Sequence, residues 1–268
     1  MTTYDRMARR AAAGVIGTYS SSFSLAVALL PRRVRADVRN LYAVVRIADE
    51  IVDGAAARAG ADPVALLDDY ERAVLDPRPL HTDPVLHAWA GTARRHRIDP
   101  AHMRAFFRSM RADATGEGCD IGEYIHGSAE VVGLMCLDIF AGPSSPEVRE
   151  AARRLGAAFQ KANFVRDVGE DVHGLGRAYV AALTGEGEFT DAVKDRLLDD
   201  VEADLAAARP GIAALPRDVR PAVAAAEAIY ADLVRRLRAT PAADVLRRRV
   251  RVPGPRKALL AARAVVRP

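Results

Sequence analysis

Cysteine is almost absent from this sequence of 268 residues, which contains only Cys119 and Cys136. Two cysteines are too few for a disulfide framework, so we exclude a small disulfide-rich fold and expect a reducing, cytoplasmic environment. The sequence also lacks an uninterrupted apolar run of about 18 residues, so we predict no membrane span. Its start, "MTTYDRMARRAAAGVIGTYS", has no apolar core followed by a cleavage site, so we expect no signal peptide.

Aromatic residues are also scarce, at 6% of the chain, although 50% of all residues are hydrophobic. Much of the apolar content is alanine, which favours closely packed helices. No segment shows the alternation of a β-strand, whereas apolar residues recur at helical spacing from 34 to 52. Further runs with helical spacing cover 64–75, 84–96, 100–112, 120–140, 146–170, 190–208, 217–238 and 255–266. We therefore predict an all-α fold, a single domain over 1–268 with about eight or more helices.

Acidic residues are missing from the end of the chain, where residues 245–268 contain eight basic residues. The net charge of the whole sequence is only +4, so the rest of the chain carries a net negative charge. A protein that binds nucleic acid normally carries its basic face on the folded body. We therefore expect no nucleic-acid partner and treat 245–268 as a basic tail of the single domain.

The stretch "RIADEIVDG", residues 46 to 54, ends a helical run with acidic residues. Asp49 and Asp53 are four residues apart and lie on the same helix face, with Arg46 one turn earlier. Like charges at this spacing weaken a helix by roughly 0.2–0.5 kcal/mol, and burial increases the cost. Alone, such a pair most simply lies on a solvent-exposed helix face. A functional role would require a compensating positive group elsewhere in the chain.

A second polar stripe occurs in "FQKANFVRDVGEDVHGLGRAY", residues 159 to 179. Its members recur at intervals of three or four residues on one helix face, namely Gln160, Asn163, Asp167 and Asp171. Mg²⁺ takes one or two carboxylates from a protein and fills its other positions with water and substrate phosphate. We therefore predict a cation–diphosphate site between two antiparallel helices, with Arg46 and Arg166 on phosphate oxygens.

At these motifs the sequence resembles the squalene/phytoene synthase family, whose members join two prenyl diphosphates head to head. "YSSSFSLAVALLPRRVRADVRNLYAVVRIADEIVDG" is similar to the family's Ser-x-Ser-Phe, Leu-Pro, Leu-Tyr and Arg-x-x-Asp-x-x-x-Asp signature. "QKANFVRDVGEDVHGLGRAY" is similar to its Gln-x-x-Asn-x-x-Arg-Asp-x-x-x-Asp signature, and "EYIHGSAEVVGLM" to the segment between them. The resemblance runs nearly end to end and implies an isoprenoid-synthase-type helical bundle with a central active-site cavity.

The resemblance also implies roles for individual residues. It implies that magnesium and the two diphosphates are bound by Asp49, Asp53, Asn163, Asp167 and Asp171. The arginines that it places on diphosphate are Arg46, Arg166 and Arg177. The residues that it places near the allylic substrates are Ser20, Ser22, Phe23 and Tyr42. The resemblance further implies a prenyl channel lined by Ala129, Val132, Gly133 and Gln160, with Tyr230 at its far side and Tyr179 also among the substrate-binding residues.

The activity implied by the resemblance is that of a Mg²⁺-dependent prenyltransferase, with Mn²⁺ as a possible substitute. Two prenyl diphosphates condense through a cyclopropylcarbinyl diphosphate and release diphosphate, and a second ionisation with proton loss gives a conjugated triene. The departing diphosphate and a nearby tyrosine, Tyr42, are both candidates for the base. The Leu-Tyr-Ala-x-x-Arg-x-Ala-Asp pattern resembles bacterial carotenoid enzymes, so we favour geranylgeranyl diphosphate as substrate and phytoene as product.

Three alternatives differ from this activity in substrate or in class. A squalene or dehydrosqualene synthase would use farnesyl diphosphate, and squalene formation would additionally need NADPH. A class I terpene cyclase shares the metal chemistry, but the Ser-x-Ser-Phe and Gln-x-x-Asn motifs argue against it. A catalytically inactive relative that serves as a binding or assembly protein would have no reason to retain the acidic residues.

The basic tail indicates a further partner. Helical spacing near its end predicts one apolar face, formed by Leu259, Leu260, Ala262, Val265 and Val266. Either this helix packs on the bundle with solvated arginines, or it contacts anionic lipid, where each basic residue contributes about 1 kcal/mol. We expect a cytoplasmic monomer or weak dimer that makes a peripheral, salt-sensitive contact with anionic membranes.

Overall fold

The computed structural model of the protein describes residues 1–116, 120–171, 179–185 and 188–266, with the backbone alone for 182–184. Within these ranges it contains helices and no strand, which confirms the predicted all-α fold. The helices are α1 (Thr3–Tyr19), α2 (Ser21–Leu29), α3 (Arg32–Glu50), α4 (Ala56–Arg58), α5 (Pro63–Leu75), α6 (Pro84–His96), α7 (Pro100–Thr115), α8 (Ile121–Ile125), α9 (Val131–Ala141), α10 (Pro146–Glu170), α11 (Tyr179–Thr184), α12 (Asp191–Ala214), α13 (Arg220–Arg238), α14 (Ala242–Val245) and α15 (Gly254–Val266). Two π-helical segments, Ile51–Ala55 and His126–Glu130, interrupt this series.

Asp-Pro dipeptides begin three of these helices, α5, α6 and α7. In each case the aspartate side chain accepts a hydrogen bond from a backbone N–H of the first turn, which has no partner within the helix. The proline follows at the first helical position, where its missing N–H costs nothing. These starts therefore follow from local sequence and agree with the predicted runs.

Helices α3 and α10, which carry the two acidic motifs, run in the same direction, contrary to the antiparallel arrangement predicted above. Near the start of α3, Arg33 Nη1 donates a hydrogen bond to the carbonyl oxygen of Phe140, shortly before α10 begins, at 3.2 Å. The later parts of both helices are also close together. The ring of Phe23 contacts both Tyr42 of α3 and Tyr230, and the Tyr230 hydroxyl donates a hydrogen bond to Asn163 Oδ1 of α10. Each motif lies at the C-terminal end of its helix, so the two can meet only if the helices are parallel.

Glycines allow α9 and α10 to cross at van der Waals distance. A Cβ atom on Gly133 would lie 2.5 Å from the carbonyl oxygen of Ala152, and one on Gly156 would lie 2.5 Å from that of Ala129. A side chain at either position would therefore push the two helices apart. Gly133 was predicted to line the channel, and its missing side chain sets the distance between α9 and α10, which both line the cavity.

Helix α12 continues to Ala214, beyond the predicted end at 208, although Pro210 lies inside it. A proline in a helix interior removes one backbone hydrogen bond and disfavours the preceding turn. The next residue, Gly211, packs so closely on α10 that an added Cβ would lie 2.2 Å from the Cβ of Ala151. This contact between helices supports the last turns of α12, and local sequence does not reveal it.

The stretch Ile121–Ala141 is the one described helical stretch that could cross a membrane by length and composition. Of its most apolar window, 44% is nevertheless buried inside the bundle. Tyr124, Leu134 and Met135 are buried, and Val132 is one of several residues that line an internal cavity. We therefore identify this stretch as a core element of the bundle.

The basic tail packs on the bundle through α15. Ala261 and Ala264 are buried against Ala225 of α13, with apolar residues of α2 alongside. Their small side chains allow close helix packing, and this divides the predicted apolar face. Leu260 is buried, whereas the exposed members of that face are Leu259, Ala262, Val265 and Val266.

Candidate active site

A cavity of about 530 Å³ lies inside the bundle. Side chains of α2, α3, α9, α10, α12 and α13 contribute to its walls. Polar side chains collect at the end where α3 and α10 terminate, and most of the remaining wall is apolar. The part of α10 that lines it extends from Val148 to Arg166, about 27 Å at the rise of an α-helix. The predicted central cavity is therefore confirmed.

Most of the predicted substrate-binding residues line this cavity. They are Ser20, Ser22, Phe23, Tyr42, Arg46, Ala129, Val132, Gly133, Gln160, Asn163, Arg166 and Tyr230, and Asp49 of the predicted metal ligands is with them. The predicted residues outside its lining are Asp53, Asp167, Asp171 and Tyr179. Arg177 lies outside the described residues. The three aspartates follow the lining residues on their helices, at the polar end.

The first acidic motif is neutralised by an arginine of its own helix. Arg46 forms ion pairs with Asp49 and Glu50. Its guanidinium carbon also lies 4.5 Å from the centre of the Tyr19 ring, a cation–π contact at the cavity wall. Burial opposes the charge on Arg46, but the two carboxylates outweigh it, so the pKa of Arg46 lies above its ordinary value.

The π-helical segment Ile51–Ala55 separates Asp53 from the regular part of α3. Gly54 within it has φ of +105°, a conformation that favours glycine. The predicted spacing on one continuous helix is thus modified, because Asp53 follows Asp49 across a widened turn. The second π-helical segment, His126–Glu130, also contributes to the cavity wall. Such segments are rare and occur frequently at functional sites.

The second acidic motif receives arginines from two parts of the chain. Arg166 Nε lies 2.8 Å from Asp167 Oδ1, and Arg249 Nε from the basic tail lies 2.9 Å from the same oxygen. Arg249 Nη1 is also 3.6 Å from Glu170 Oε2. Burial opposes the charge on Arg166, but its bond to Asp167 outweighs this effect and raises the pKa of Arg166. Together with Arg46, these residues give the polar end three guanidinium groups.

Aromatic rings join the polar end of the cavity to its apolar wall. Phe159 and Tyr230 are stacked, with ring centres 3.9 Å apart. The ring of Phe23 lies 6.1 Å from each of them and 6.3 Å from Tyr42. Burial raises the pKa of both tyrosines, so both phenols stay protonated near neutral pH. Aromatic faces of this kind stabilise a nearby positive charge.

Tyr179 lies beside the cavity rather than in its wall. Its ring stacks on Phe164 at 4.4 Å between centres. Its hydroxyl donates a hydrogen bond to Asp113 and lies 3.2 Å from the hydroxyl of Tyr124, which does line the cavity. Tyr179 is therefore connected to the cavity through a cluster of hydroxyl groups.

The cavity residues that the prediction did not name include Tyr19, Cys136 and Arg249. Arg249 lies 82 residues after Asp167, and the run of arginines in the tail is the one sign of it in the sequence. Burial raises the pKa of the Cys136 thiol to about 12, so this group stays protonated and behaves as part of the apolar wall. Tyr19 precedes the Ser-x-Ser-Phe signature directly.

The donor set at the polar end fits a hard divalent cation that arrives with phosphate ligands. The two motifs offer carboxylate oxygens and the Asn163 amide oxygen, without thiolate or imidazole. Among the described residues, no group of three or more His, Cys, Asp or Glu side chains could hold a metal ion by itself. Mg²⁺ suits this sparse set, because it needs only one or two carboxylates and completes its octahedron with water and phosphate.

Comparison with known proteins identifies the family. Residues 16–256 match the family model described as squalene/phytoene synthase. The chain belongs to this family. A phytoene synthase from Mycobacterium bovis is 32% identical over 98% of this chain and 92% of its own length. A 15-cis-phytoene synthase from Paracoccus sp. is 33% identical over 82% of this chain and 78% of its own length.

A solved structure agrees with this membership of the squalene/phytoene synthase family. The crystal structure of a dehydrosqualene synthase in complex with ligand has a TM-score of 0.85 and 26% identity. The alignment covers 97% of this chain and 96% of that chain. The predicted class, a prenyltransferase, is thereby confirmed, and the relatives support head-to-head condensation of prenyl diphosphates.

Proposed function

We propose that this protein condenses two geranylgeranyl diphosphates head to head to phytoene, in a Mg²⁺-dependent reaction that releases diphosphate. The cavity is the observation that carries the proposal. Its polar end, with Arg46 and Arg166, suits two diphosphate groups, and its long apolar part suits two hydrocarbon chains. A hydrophilic substrate would not fill the apolar part of the cavity, and a single small substrate would not occupy both the polar end and the apolar part.

Small side chains in the deep part of the cavity support the longer substrate. Helix α10 contributes Ala151, Ala152 and Gly156 to the lining, and α12 contributes Ala208 and Gly211. The alanine side chains take up little of the channel, whereas the two glycines let the surrounding helices pack closely. A bulky side chain in place of one of these alanines would shorten the channel.

The residues of the chain hold the diphosphates and exclude water. Arg46 and Arg166 donate hydrogen bonds to phosphate oxygens in the paired geometry of a guanidinium group. When bound, Mg²⁺ neutralises the leaving diphosphate. The residues that would hold it are Asp49, Asp53, Asn163, Asp167 and Asp171. Apolar walls keep water from the allylic cations. The aromatic rings of Phe23 and Tyr42 stabilise the positive charge of these cations.

We assign the final proton to the departing diphosphate rather than to Tyr42. The raised pKa of Tyr42 means that its phenol is already protonated, so it has no strong basic site to offer. A diphosphate held by the arginines at the same end of the cavity carries basic oxygens. Tyr42 then orients the substrate and stabilises its positive charge.

Product analysis tests this function. The purified protein is incubated with geranylgeranyl or farnesyl diphosphate and Mg²⁺, with and without NADPH, and the hydrocarbons are identified by mass spectrometry. We expect phytoene from geranylgeranyl diphosphate without NADPH, and no product in EDTA until Mg²⁺ or Mn²⁺ is restored. Exclusive use of farnesyl diphosphate would replace this function with that of a squalene or dehydrosqualene synthase. No product from either substrate would favour an inactive relative.

A peripheral contact with anionic membrane is the second part of the proposal. The outer face of α15 exposes Leu259, Val265 and Val266, the last at 78% of its surface. Basic residues of the tail flank these side chains, which is the composition of a helix that lies at an anionic lipid surface. Lys257 of the same helix donates a hydrogen bond to Ser21 Oγ, directly beside the cavity residues Ser20 and Ser22. An apolar product could thus leave the cavity near lipid.

A further inference from the structure

Asp167, a proposed metal ligand, is held by an arginine from the basic tail. Arg249 contacts both of its carboxylate oxygens, with Nε 2.9 Å from Oδ1 and Nη2 3.1 Å from Oδ2. The second contact is a hydrogen bond, and the first is an ion-pair contact that adds to the attraction. The same oxygens are the atoms that a cation would need. Arg249 therefore competes with metal for Asp167, in addition to Arg166, which contacts the same two oxygens from its own helix.

Gly169 allows the tail to come this close. A Cβ atom at this position of α10 would lie 2.2 Å from the carbonyl oxygen of Leu246 and 2.8 Å from its carbonyl carbon. These are backbone atoms, which cannot rotate away, so any side chain at Gly169 would displace the tail segment. Buried Val245 and Val252 anchor the segment before and after Arg249. Packing of the tail thus positions Arg249 beside α10.

We propose that Arg249 is a displaceable counter-ion that couples metal binding to diphosphate binding, with Gly169 as its positioning residue. The inference rests on the metal site of the proposed function. A cation alone must compete with Arg249 for Asp167. A diphosphate offers Arg249 another anionic partner, because its side chain also lines the cavity at the polar end. Release of Asp167 then makes metal and diphosphate favour each other's binding.

Metal binding without prenyl substrate tests the coupling. Mn²⁺ affinity of the full chain is measured by electron paramagnetic resonance, with and without inorganic diphosphate, after correction for the complex that the two form in solution. In the absence of diphosphate, the Arg249→Gln variant should bind Mn²⁺ about fivefold more tightly than the wild type. This factor corresponds to the loss of one partly exposed ion pair. The gain in Mn²⁺ affinity caused by diphosphate should shrink by a similar factor. Gly169→Ala should shift both quantities in the same direction.

Arg248→Gln is the matched control, because it removes the same charge from the neighbouring residue. Arg248 shares a small pocket with Asp167, but its ion pair is with Asp244, at 3.5 Å. Its Mn²⁺ affinity should equal that of the wild type. Equal affinities of the wild type and Arg249→Gln would overturn the inference and leave the proposed function intact. A wild-type chain that binds no Mn²⁺ under either condition would overturn both. Partial unfolding cannot mimic the expected result, because it lowers metal affinity.

Discussion

The two acidic motifs have similar chemistry but are neutralised in different ways. In the first, Arg46 contacts two carboxylates within one turn of its own helix. In the second, Asp167 is contacted by the adjacent Arg166 and by Arg249, which is 82 residues further along the chain. The ion pairs of Arg46 can therefore form as soon as α3 forms. The ion pair between Arg249 and Asp167 forms only when the tail has packed on the bundle.

A glycine serves each motif, and the two glycines have different physical roles. Gly54 ends the first motif with φ of +105°, so its backbone conformation is what requires glycine. Gly169 lies inside α10, and its missing side chain is what admits the backbone of Leu246. The first motif thus depends on local backbone conformation, and the second depends on a tertiary contact.

Replacing one aspartate of each motif should have the largest effect and tests whether the motifs are equivalent. Asp49→Asn and Asp167→Asn should each lower kcat/KM by about a hundredfold or more, because each removes an anionic ligand that stabilises the leaving group. Steady-state kinetics with geranylgeranyl diphosphate and Mg²⁺ measures this. Circular dichroism should show unchanged helix content in both variants. Near-normal turnover of either one would remove its motif from the metal site.

Replacing the arginines should affect the two motifs differently, because only the second motif has an additional arginine from the tail. Arg46→Gln should lower kcat/KM about a hundredfold, in the range seen when a preorganised donor to developing negative charge is lost. Arg166→Gln should cost only about tenfold, because Arg249 still supplies a guanidinium group beside Asp167. The double variant Arg166→Gln/Arg249→Gln should then fall to the level of Arg46→Gln. A double variant no worse than Arg166→Gln would show that the tail arginine contributes nothing to the reaction.

Gly54→Ala should lower the stability of the protein moderately, through strain in the backbone of the first motif. Alanine at a φ of +105° is strained, so the free energy of unfolding should fall by about 1–2 kcal/mol. Urea denaturation followed by circular dichroism measures the change. Gly14→Ala is a suitable control, because this glycine lies within α1 with open space around it. It should instead stabilise the protein by about 0.5–1 kcal/mol. Equal signs for the two variants would contradict the role given to Gly54.

Changes on the outer face of α15 should have the smallest effect and leave both motifs intact. The triple variant Leu259→Ser, Val265→Ser, Val266→Ser keeps all tail arginines and the buried face of the helix. Its binding to anionic vesicles should weaken about tenfold in a flotation assay, because apolar contact with lipid is lost. Phytoene formation in detergent should be unchanged. Vesicle binding equal to that of the wild type, or binding insensitive to salt, would argue against a lipid contact on this face.

Local sequence signals predicted many of the helices and much of the site. The Asp-Pro starts of α5 to α7 depend on capping within a few residues, which a sequence displays directly. The motif residues Arg46, Asp49, Asn163 and Arg166 line one cavity, as their spacing and the family resemblance imply. The direction of α3 relative to α10 was predicted wrongly, although the position of both motifs at C-terminal helix ends already requires parallel helices. The continuation of α12 past Pro210 depends on contact with α10 and has no local signal.

Helical periodicity was enough to predict most of the helices, the spacing of acidic and basic groups within each helix, and the position of Arg46 beside its own motif, because it brings residues three or four apart together. Packing between distant parts of the chain accounts for the rest. It brings Arg249 to Asp167, sets the helix spacing at Gly133 and Gly156, and buries Leu260 while exposing Leu259. These contacts join residues far apart in the chain, and whether they form depends on the shapes of two packed surfaces rather than on any local pattern.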